Sequence, residues 1–161
     1  MSDPRLPTIR FSRFHRQALY SVFTLLWVSG ALWLVFHYFL QMPGDFGNRA
    51  HPLERWWLRL HGLVVFAMLV AVGSVLPVHA RQAWKLKRNL LSGLSMKLVV
   101  LWLAGTGYAL YYFASEANQS WLALLHWAVG LPLPLLIAFH ARHRYRRPQP
   151  RGAARPDAQA R

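Results

Sequence analysis

The chain has 161 residues, 55% of them hydrophobic, a net charge of +14 at pH 7 and no cysteine. The lack of cysteine excludes disulfides, iron–sulfur clusters and covalently attached c-type haem. A charge of this size can indicate nucleic-acid binding, but here the basic residues cluster in short segments between apolar runs. We therefore expect the lipid bilayer, with its anionic headgroups, as the partner of the basic segments, and no nucleic acid.

Four runs without Asp, Glu, Lys or Arg divide the chain, with 28, 21, 18 and 25 residues at 17–44, 60–80, 98–115 and 117–141. A helix needs roughly 20 apolar residues to cross a hydrocarbon core about 30 Å thick. Backbone groups in lipid must be satisfied within the segment, which favours helices. The predicted fold class is therefore all-α, an integral membrane four-helix up-down bundle, because short loops make neighbouring helices antiparallel.

In chain order, residues 1–16 form a basic lead, residues 17–143 the transmembrane domain and residues 144–161 a basic tail. The composition of the tail predicts disorder. Pro43 and Gly44 end the first span, and Trp56 and Trp57 open the second at an expected interfacial aromatic belt. The predicted spans are 17–41, 56–80, 93–114 and 121–141.

The basic residues are distributed unequally between the two sides of this topology. Sixteen of the 19 Lys and Arg residues lie on one side: 14 in the lead, the loop between the second and third spans, and the tail, with Lys97 near the start of the third span and Arg142 just after the fourth. The other side holds Arg49, Arg55 and Arg59. The positive-inside rule then predicts a multi-pass membrane protein with both termini in the cytoplasm. No cleavable signal peptide is indicated, because the first run is too long for a signal core.

Five histidines lie inside or at the rims of the spans: His37, His61, His79, His126 and His140. An ionisable residue within a span is a candidate functional residue. His61 and His79 are 18 residues apart, which is five helical turns, so they share one face of the second helix. His126 and His140 are 14 residues apart on the fourth helix, within about 40° of one face.

Because the second and fourth helices are antiparallel, His61 matches His126 in depth near their outer ends, and His79 matches His140 near the cytoplasmic ends. Two facing imidazoles can bind a porphyrin iron from both sides. The pattern predicts two haem b groups, one in each leaflet, with these four histidines as axial ligands of the iron. Zinc and copper are disfavoured, since the spans lack carboxylates and cysteines. A single pair could instead serve a proton relay or hydrogen bonds between helices.

His37 lies at about the depth of the outer pair, and the sequence leaves three roles open for it. It could replace an outer ligand, bind a haem propionate or line a quinol pocket. Arg55 and Arg59 could pair with the propionates of the outer haem, and Arg81 with those of the inner one. Interfacial snorkelling is the alternative explanation of all three arginines, and the sequence slightly favours it.

The two pairs cannot both be level on straight helices, because 18 residues rise about 27 Å and 14 residues about 21 Å. Pro77 is expected to bend the second helix just before His79 and so reduce the mismatch. His143 is an alternative ligand of more suitable depth, but it lies about 100° from the preferred face, so His140 is preferred. His15 is expected to be a solvated surface residue.

Several short segments resemble the bacterial cytochrome b561 family. They are Leu60-His61-Gly62, Ser92-Gly93-Leu94, Thr106-Gly107-Tyr108 and Leu125-His126-Trp127. The resemblance covers about residues 17–143 and extends to the membrane cytochrome b subunits of formate dehydrogenases and nickel–iron hydrogenases. In many members the first helix contributes a ligand, which keeps the role of His37 open.

The resemblance implies electron exchange between the quinone pool and a periplasmic or membrane redox protein. The chain would then be an electron-transfer subunit of an oxidoreductase complex. Two alternatives stay open. One is a non-redox membrane scaffold or assembly subunit. The other is a small proton-coupled transporter, which normally needs buried carboxylates; Glu54 and Glu116 are both expected in outer loops.

Overall fold

The computed structural model describes residues 12–45, 47–85 and 90–145, with side chains except at 78, 79, 82–85, 90 and 142–145. The elements in chain order are α1 Arg13–Tyr38, β1 Met42–Gly44, β2 Gly47–Arg49, α2 Pro52–Lys85, α3 Leu90–Tyr112, α4 Gln119–Gly130 and α5 Leu133–Tyr145. Four segments are long and apolar enough to cross a membrane: Arg13–Tyr38, Pro52–Pro77, Leu91–Tyr112 and Gln119–Ala141. The predicted all-α fold class with four membrane spans is confirmed.

The helices begin about one turn earlier than the hydrophobic pattern indicates. Helix α1 starts at Arg13 because the side chain of Ser12 caps it, accepting a hydrogen bond from the backbone nitrogen of His15 at 3.1 Å. Helix α2 starts at Pro52, and proline suits a first turn, where no amide hydrogen is needed. Most of the predicted lead (1–11) and tail (146–161) lies outside the described residues.

The elements divide into two compact units, one of α1, the two strands and α2, and one of α3, α4 and α5. In the first unit, β1 and β2 pair antiparallel, with Met42 opposite Arg49 and Gly44 opposite Gly47. Gly47 has a φ of +114°, which side-chain-bearing residues rarely adopt. This small ribbon connects α1 to α2 where the sequence predicted only a helix breaker.

One face of α2 packs along α1 to form the seam of the first unit. Glu54, Trp57, His61 and Val64 lie on that face at spacings of three and four residues, the pattern of ridges that fit between those of a neighbouring helix. Val64 is 6% exposed and Ser29 of α1 is fully buried. In the most apolar windows of α1 and α2 only 6% of residues are buried, as expected for helices whose outer faces contact lipid.

In the second unit, Asn118 closes the connection between α3 and α4. Its side-chain oxygen accepts from the backbone nitrogen of Ser115 at 2.7 Å, and its side-chain nitrogen donates to the carbonyl of Phe113 at 3.1 Å. The fourth span consists of two helices instead of one, since α4 ends at Gly130 and α5 begins at Leu133. Pro132 has no amide hydrogen to continue the helical ladder.

Replacing both Pro132 and Pro134 with alanine is expected to join α4 and α5 into one helix. Each substitution restores an amide hydrogen and removes a ring that clashes with the preceding turn. Hydrogen exchange of the amides in residues 131–136, measured in detergent micelles, should then slow. Each single variant is the control, because the remaining proline still interrupts the ladder. Unchanged exchange in the double variant would show that tertiary packing imposes the break.

Candidate functional site

His61 lies in the seam between α1 and α2, where its Nδ1 is 3.2 Å from Ser29 Oγ and 3.0 Å from the carbonyl oxygen of Leu26. Ser29 Oγ also donates to the Leu26 carbonyl at 2.9 Å. A carbonyl oxygen can only accept, so the contact with Leu26 requires a proton on Nδ1. This network assigns neutral His61 the tautomer with a proton on Nδ1 and a lone pair on Nε2.

The imidazole of His61 also lies directly against the backbone of α1 at Gly30. A Cβ at this position would lie 2.9 Å from Cε1 of His61 and 3.0 Å from its Nδ1. Separations this short require movement, and the ring is held by its hydrogen bonds. Glycine at position 30 is therefore needed for the close approach of the ring to α1.

His126 of α4 is held in the same way by α3. Its Nδ1 lies 2.9 Å from Thr106 Oγ1, which donates its own proton to the carbonyl of Trp102 at 2.8 Å. A Cβ at Gly107 would lie 3.3 Å from Cε1 of His126. When Thr106 donates to Trp102 it can only accept from His126, and Nδ1 of His126 then bears the proton.

Two separate units thus use one arrangement, in which a hydroxyl residue followed by glycine on one helix holds a histidine of the next. A hydrogen bond from one ring nitrogen to an oxygen is what orients histidines that bind metals through the other. The sequence analysis singled out both histidines but missed the hydroxyls. A hydroxyl residue followed by glycine occurs within an apolar span at both Ser29-Gly30 and Thr106-Gly107. This repeated pair could have identified both hydroxyls from the sequence.

His37 forms an ion-pair contact with Glu54 at the ribbon end of the first unit. Its Nδ1 lies 2.7 Å from Glu54 Oε1, and the two side chains are 41% and 13% exposed. The ring of His37 also stacks on Trp33, with centroids 4.8 Å apart. The expectation that Glu54 lies in an outer loop was wrong, because Pro52 starts α2 early and turns Glu54 toward α1. Any further bond from the ring of His37 must use Nε2.

His15 is partly buried, whereas the sequence indicated a solvated residue. Its Nε2 lies 3.5 Å from Ser74 Oγ, which donates to the carbonyl of Ala71 at 2.8 Å. The longer distance is at the limit of a hydrogen bond. It is the second contact between an imidazole and a hydroxyl in the seam of the first unit.

The two predicted haem pairs each join histidines of different units. His61 and His79 belong to the first unit, and His126 and His140 to the second, so the pairing stays a prediction. His140 is partly buried in α5. The side chains of His79 and of the alternative ligand His143 lie outside the described part of the chain.

The arginines proposed as propionate partners have exposed side chains. The guanidinium of Arg59 lies 5.2 Å from the ring centroid of Trp56, a cation–π contact. Arg55 and Arg81 are exposed on α2. A role of Arg55, Arg59 and Arg81 in binding propionates therefore stays a prediction.

Two buried indole nitrogens bear on whether a haem would fit near His61 and His126. Trp57 Nε1 and Trp127 Nε1 have no hydrogen-bond partner among the described residues. Trp57 lies one helical turn before His61, and Trp127 directly follows His126. A buried donor without an acceptor costs about 1–3 kcal/mol, and a haem propionate is an acceptor of suitable chemistry.

The donor set of the described residues also suits haem better than a metal held by protein ligands alone. Among these residues no group of three or more His, Cys, Asp or Glu could hold a metal ion. A porphyrin supplies four nitrogen ligands of its own and needs only axial imidazoles from the protein. The residues therefore fit a haem.

Comparison with known proteins finds no matching protein-family model, no matching curated relative and no matching solved structure. The chain's own fold and site define its class. It is a multi-pass, all-α membrane protein in which each of two helical units holds a histidine through Nδ1.

Replacing Gly30 with alanine is expected to displace the ring of His61 and to destabilise the fold by about 1–3 kcal/mol, the usual cost of overpacking. Gly107→Ala should cost less, because its Cβ would need only a few tenths of an ångström of movement. Chemical denaturation in detergent measures both. Gly62→Ala is the matched control, since a Cβ there meets nothing within 4 Å. Equal stability of all three variants would contradict the close approach.

Proposed function

We propose that this chain is a dihaem b-type cytochrome of the bacterial inner membrane. In this proposal it exchanges electrons between the quinone pool and a periplasmic or membrane redox partner. One observation carries the proposal: His61 and His126, each in an apolar span, both have Nδ1 hydrogen-bonded to the neighbouring helix, an arrangement typical of histidines that bind a metal through Nε2.

The four histidines would bind two haems as axial ligands, His61 with His126 and His79 with His140. When bound, each haem supplies a one-electron carrier, and an iron with two imidazole ligands has no position left for oxygen. The chain itself orients the imidazoles of His61 and His126, which are partly buried in the helix seams.

The indole groups of Trp57 and Trp127 would donate to the haem propionates. Exposed Arg55 and Arg59 at one end of the second span and Arg81 toward the other would add positive charge near those carboxylates. His37, with its Nδ1 bound to Glu54, would reach a propionate or a quinol through Nε2 alone. Each of these contacts would orient a bound group without altering the iron ligands.

The proposed orientation places both termini in the cytoplasm, as the distribution of Lys and Arg indicates. The connections on the opposite side are short, consisting of the ribbon region between α1 and α2 and the turn between α3 and α4. They provide a docking surface for a redox partner but no separate catalytic domain. This supports an electron-transfer subunit over a stand-alone enzyme.

A non-redox scaffold is the second candidate, and two contacts favour it. The His37–Glu54 and His15–Ser74 contacts both join α1 to α2 without needing a cofactor. Polar contacts between helices stabilise membrane proteins by about 0.6 kcal/mol each. In a scaffold, His61 and His126 would act only as further contacts of this kind.

The visible spectrum of the purified protein separates the two candidates. With haem supplied during expression, we expect reducible b-type absorption and two haems per chain. A scaffold would give no such absorption. A well-folded preparation that binds no haem would contradict the proposed cytochrome.

Histidine variants test the proposed pairing. His61→Ala and His126→Ala should each remove one and the same haem, while His79→Ala and His140→Ala should remove the other. Haem stoichiometry and redox titration measure which component is lost. His51→Ala is the control, because His51 lies in the connection before α2 and accepts a bond from the backbone of Leu53 at 3.1 Å. Equal loss of both haems in all four variants, with folding intact, would argue against the pairing.

A further inference from the structure

We propose that the hydroxyl groups of Ser29 and Thr106 are positioning groups. Thr106 sets the tautomer of His126, Ser29 adds to the bond that the Leu26 carbonyl already makes with Nδ1 of His61, and both thereby tune the reduction potential of the haem that these histidines bind. The tautomer part stands on the hydrogen-bond geometry alone. The part on the reduction potential rests on the proposed function. Neither hydroxyl would touch the haem iron, so both act through the histidine.

Each hydroxyl is the middle member of a chain of two hydrogen bonds. In the second unit, His126 Nδ1 lies 2.9 Å from Thr106 Oγ1, and Oγ1 lies 2.8 Å from the carbonyl of Trp102, to which it can donate. In the first unit, the corresponding distances through Ser29 Oγ are 3.2 and 2.9 Å. A hydroxyl that donates its proton becomes a stronger acceptor, since successive hydrogen bonds polarise one another.

The two chains differ in one respect that the experiment can use. His61 Nδ1 also lies 3.0 Å from the carbonyl of Leu26, so removing the Ser29 hydroxyl leaves it an acceptor. The bond to Thr106 is the shorter of the two imidazole–hydroxyl bonds. Thr106 is therefore expected to have the larger effect on its histidine.

The effect on the iron follows from the electronic coupling within the ring. A hydrogen bond donated from Nδ1 raises the basicity of Nε2 and its strength as a ligand. A stronger donor stabilises ferric iron more than ferrous iron, which lowers the reduction potential. Loss of the bond should raise the potential, as hydrogen bonds around a haem ligand are among the means by which a protein sets it.

The tautomer is tested first, on the full chain produced without added haem and labelled with ¹⁵N-histidine. Histidine ¹⁵N chemical shifts, assigned through His61→Gln and His126→Gln, report which ring nitrogen bears the proton. We expect both histidines to bear it on Nδ1. Thr106→Val, which keeps the shape but removes the hydroxyl, should shift His126 toward the other tautomer, and Thr106→Ser should restore the original one.

Ser95→Ala is the matched control. The hydroxyl of Ser95 makes the same kind of bond within its helix, donating to the carbonyl of Leu91 at 2.9 Å on the exposed face of α3. Its removal should leave the tautomers of His61 and His126 unchanged. Ser29→Ala should keep the proton of His61 on Nδ1, since the Leu26 carbonyl still accepts it.

The reduction potential is measured next, on the haem-loaded protein. Thr106→Val should raise the potential of one haem and weaken its binding about 10- to 100-fold, the usual effect of removing a hydrogen-bond partner from a metal-binding histidine. Ser29→Ala should raise the potential of the same haem by a smaller amount. Thr106→Ser and Ser95→Ala should match the wild type.

Three results would overturn the inference: a proton on Nε2 of His61 or His126 in the wild type, a Thr106→Val variant that behaves as Ser95→Ala does, or a Thr106→Ser variant that behaves as Thr106→Val does. Failure of the proposed function is distinguishable from these. A chain that shows the expected tautomers but binds no haem would support the part of the inference on the tautomers. It would overturn the proposed cytochrome and the inferred effect on the reduction potential.

Discussion

The contact on which the rest of the structure depends is the imidazole–hydroxyl hydrogen bond across each helix seam. Lipid tails are as apolar as leucine, so burial of apolar side chains gives little preference for one helix register over another. A polar contact does give such a preference, because shifting one helix by a single residue would leave a donor or acceptor without a partner. His61 with Ser29, and His126 with Thr106, therefore fix the register of the two seams. Gly30 and Gly107 allow this by letting the rings reach the neighbouring backbone.

The same hydrogen bonds also bear on which ring nitrogen of each histidine carries the proton. The Leu26 carbonyl can only accept, so Nδ1 of His61 bears a proton. When Thr106 donates to the Trp102 carbonyl, it accepts from His126, and Nδ1 bears the proton there too. The contacts that hold the helices together are thus the same ones that orient the histidines of the proposed cytochrome. Trp57 Nε1 and Trp127 Nε1 have no hydrogen-bond partner among the described residues, and the propionates of a bound haem would supply one.

Much of the architecture was predictable because the bilayer acts on long stretches of sequence. Four charge-free runs sufficed for the number of spans and the all-α class. The details that were missed depend on single residues: Ser12 capping α1 early, Pro52 starting α2 before Trp56, and Pro132 separating α4 from α5. Glu54 was wrongly assigned to a loop for the same reason. Charge indicates where a span can end, whereas capping groups and prolines decide where a helix ends.

The sequence by itself determined the class of the protein, the four spans and the histidines worth testing, since hydrophobic length and helical periodicity are properties of one segment at a time. Only the tertiary structure decided what those histidines contact. Ser29 lies 32 residues before His61, and His37 lies 17 residues before Glu54, so no local pattern connects them. Antiparallel packing brings each pair together. The proton on Nδ1 follows from that packing, because a tautomer depends on the partner that the fold supplies.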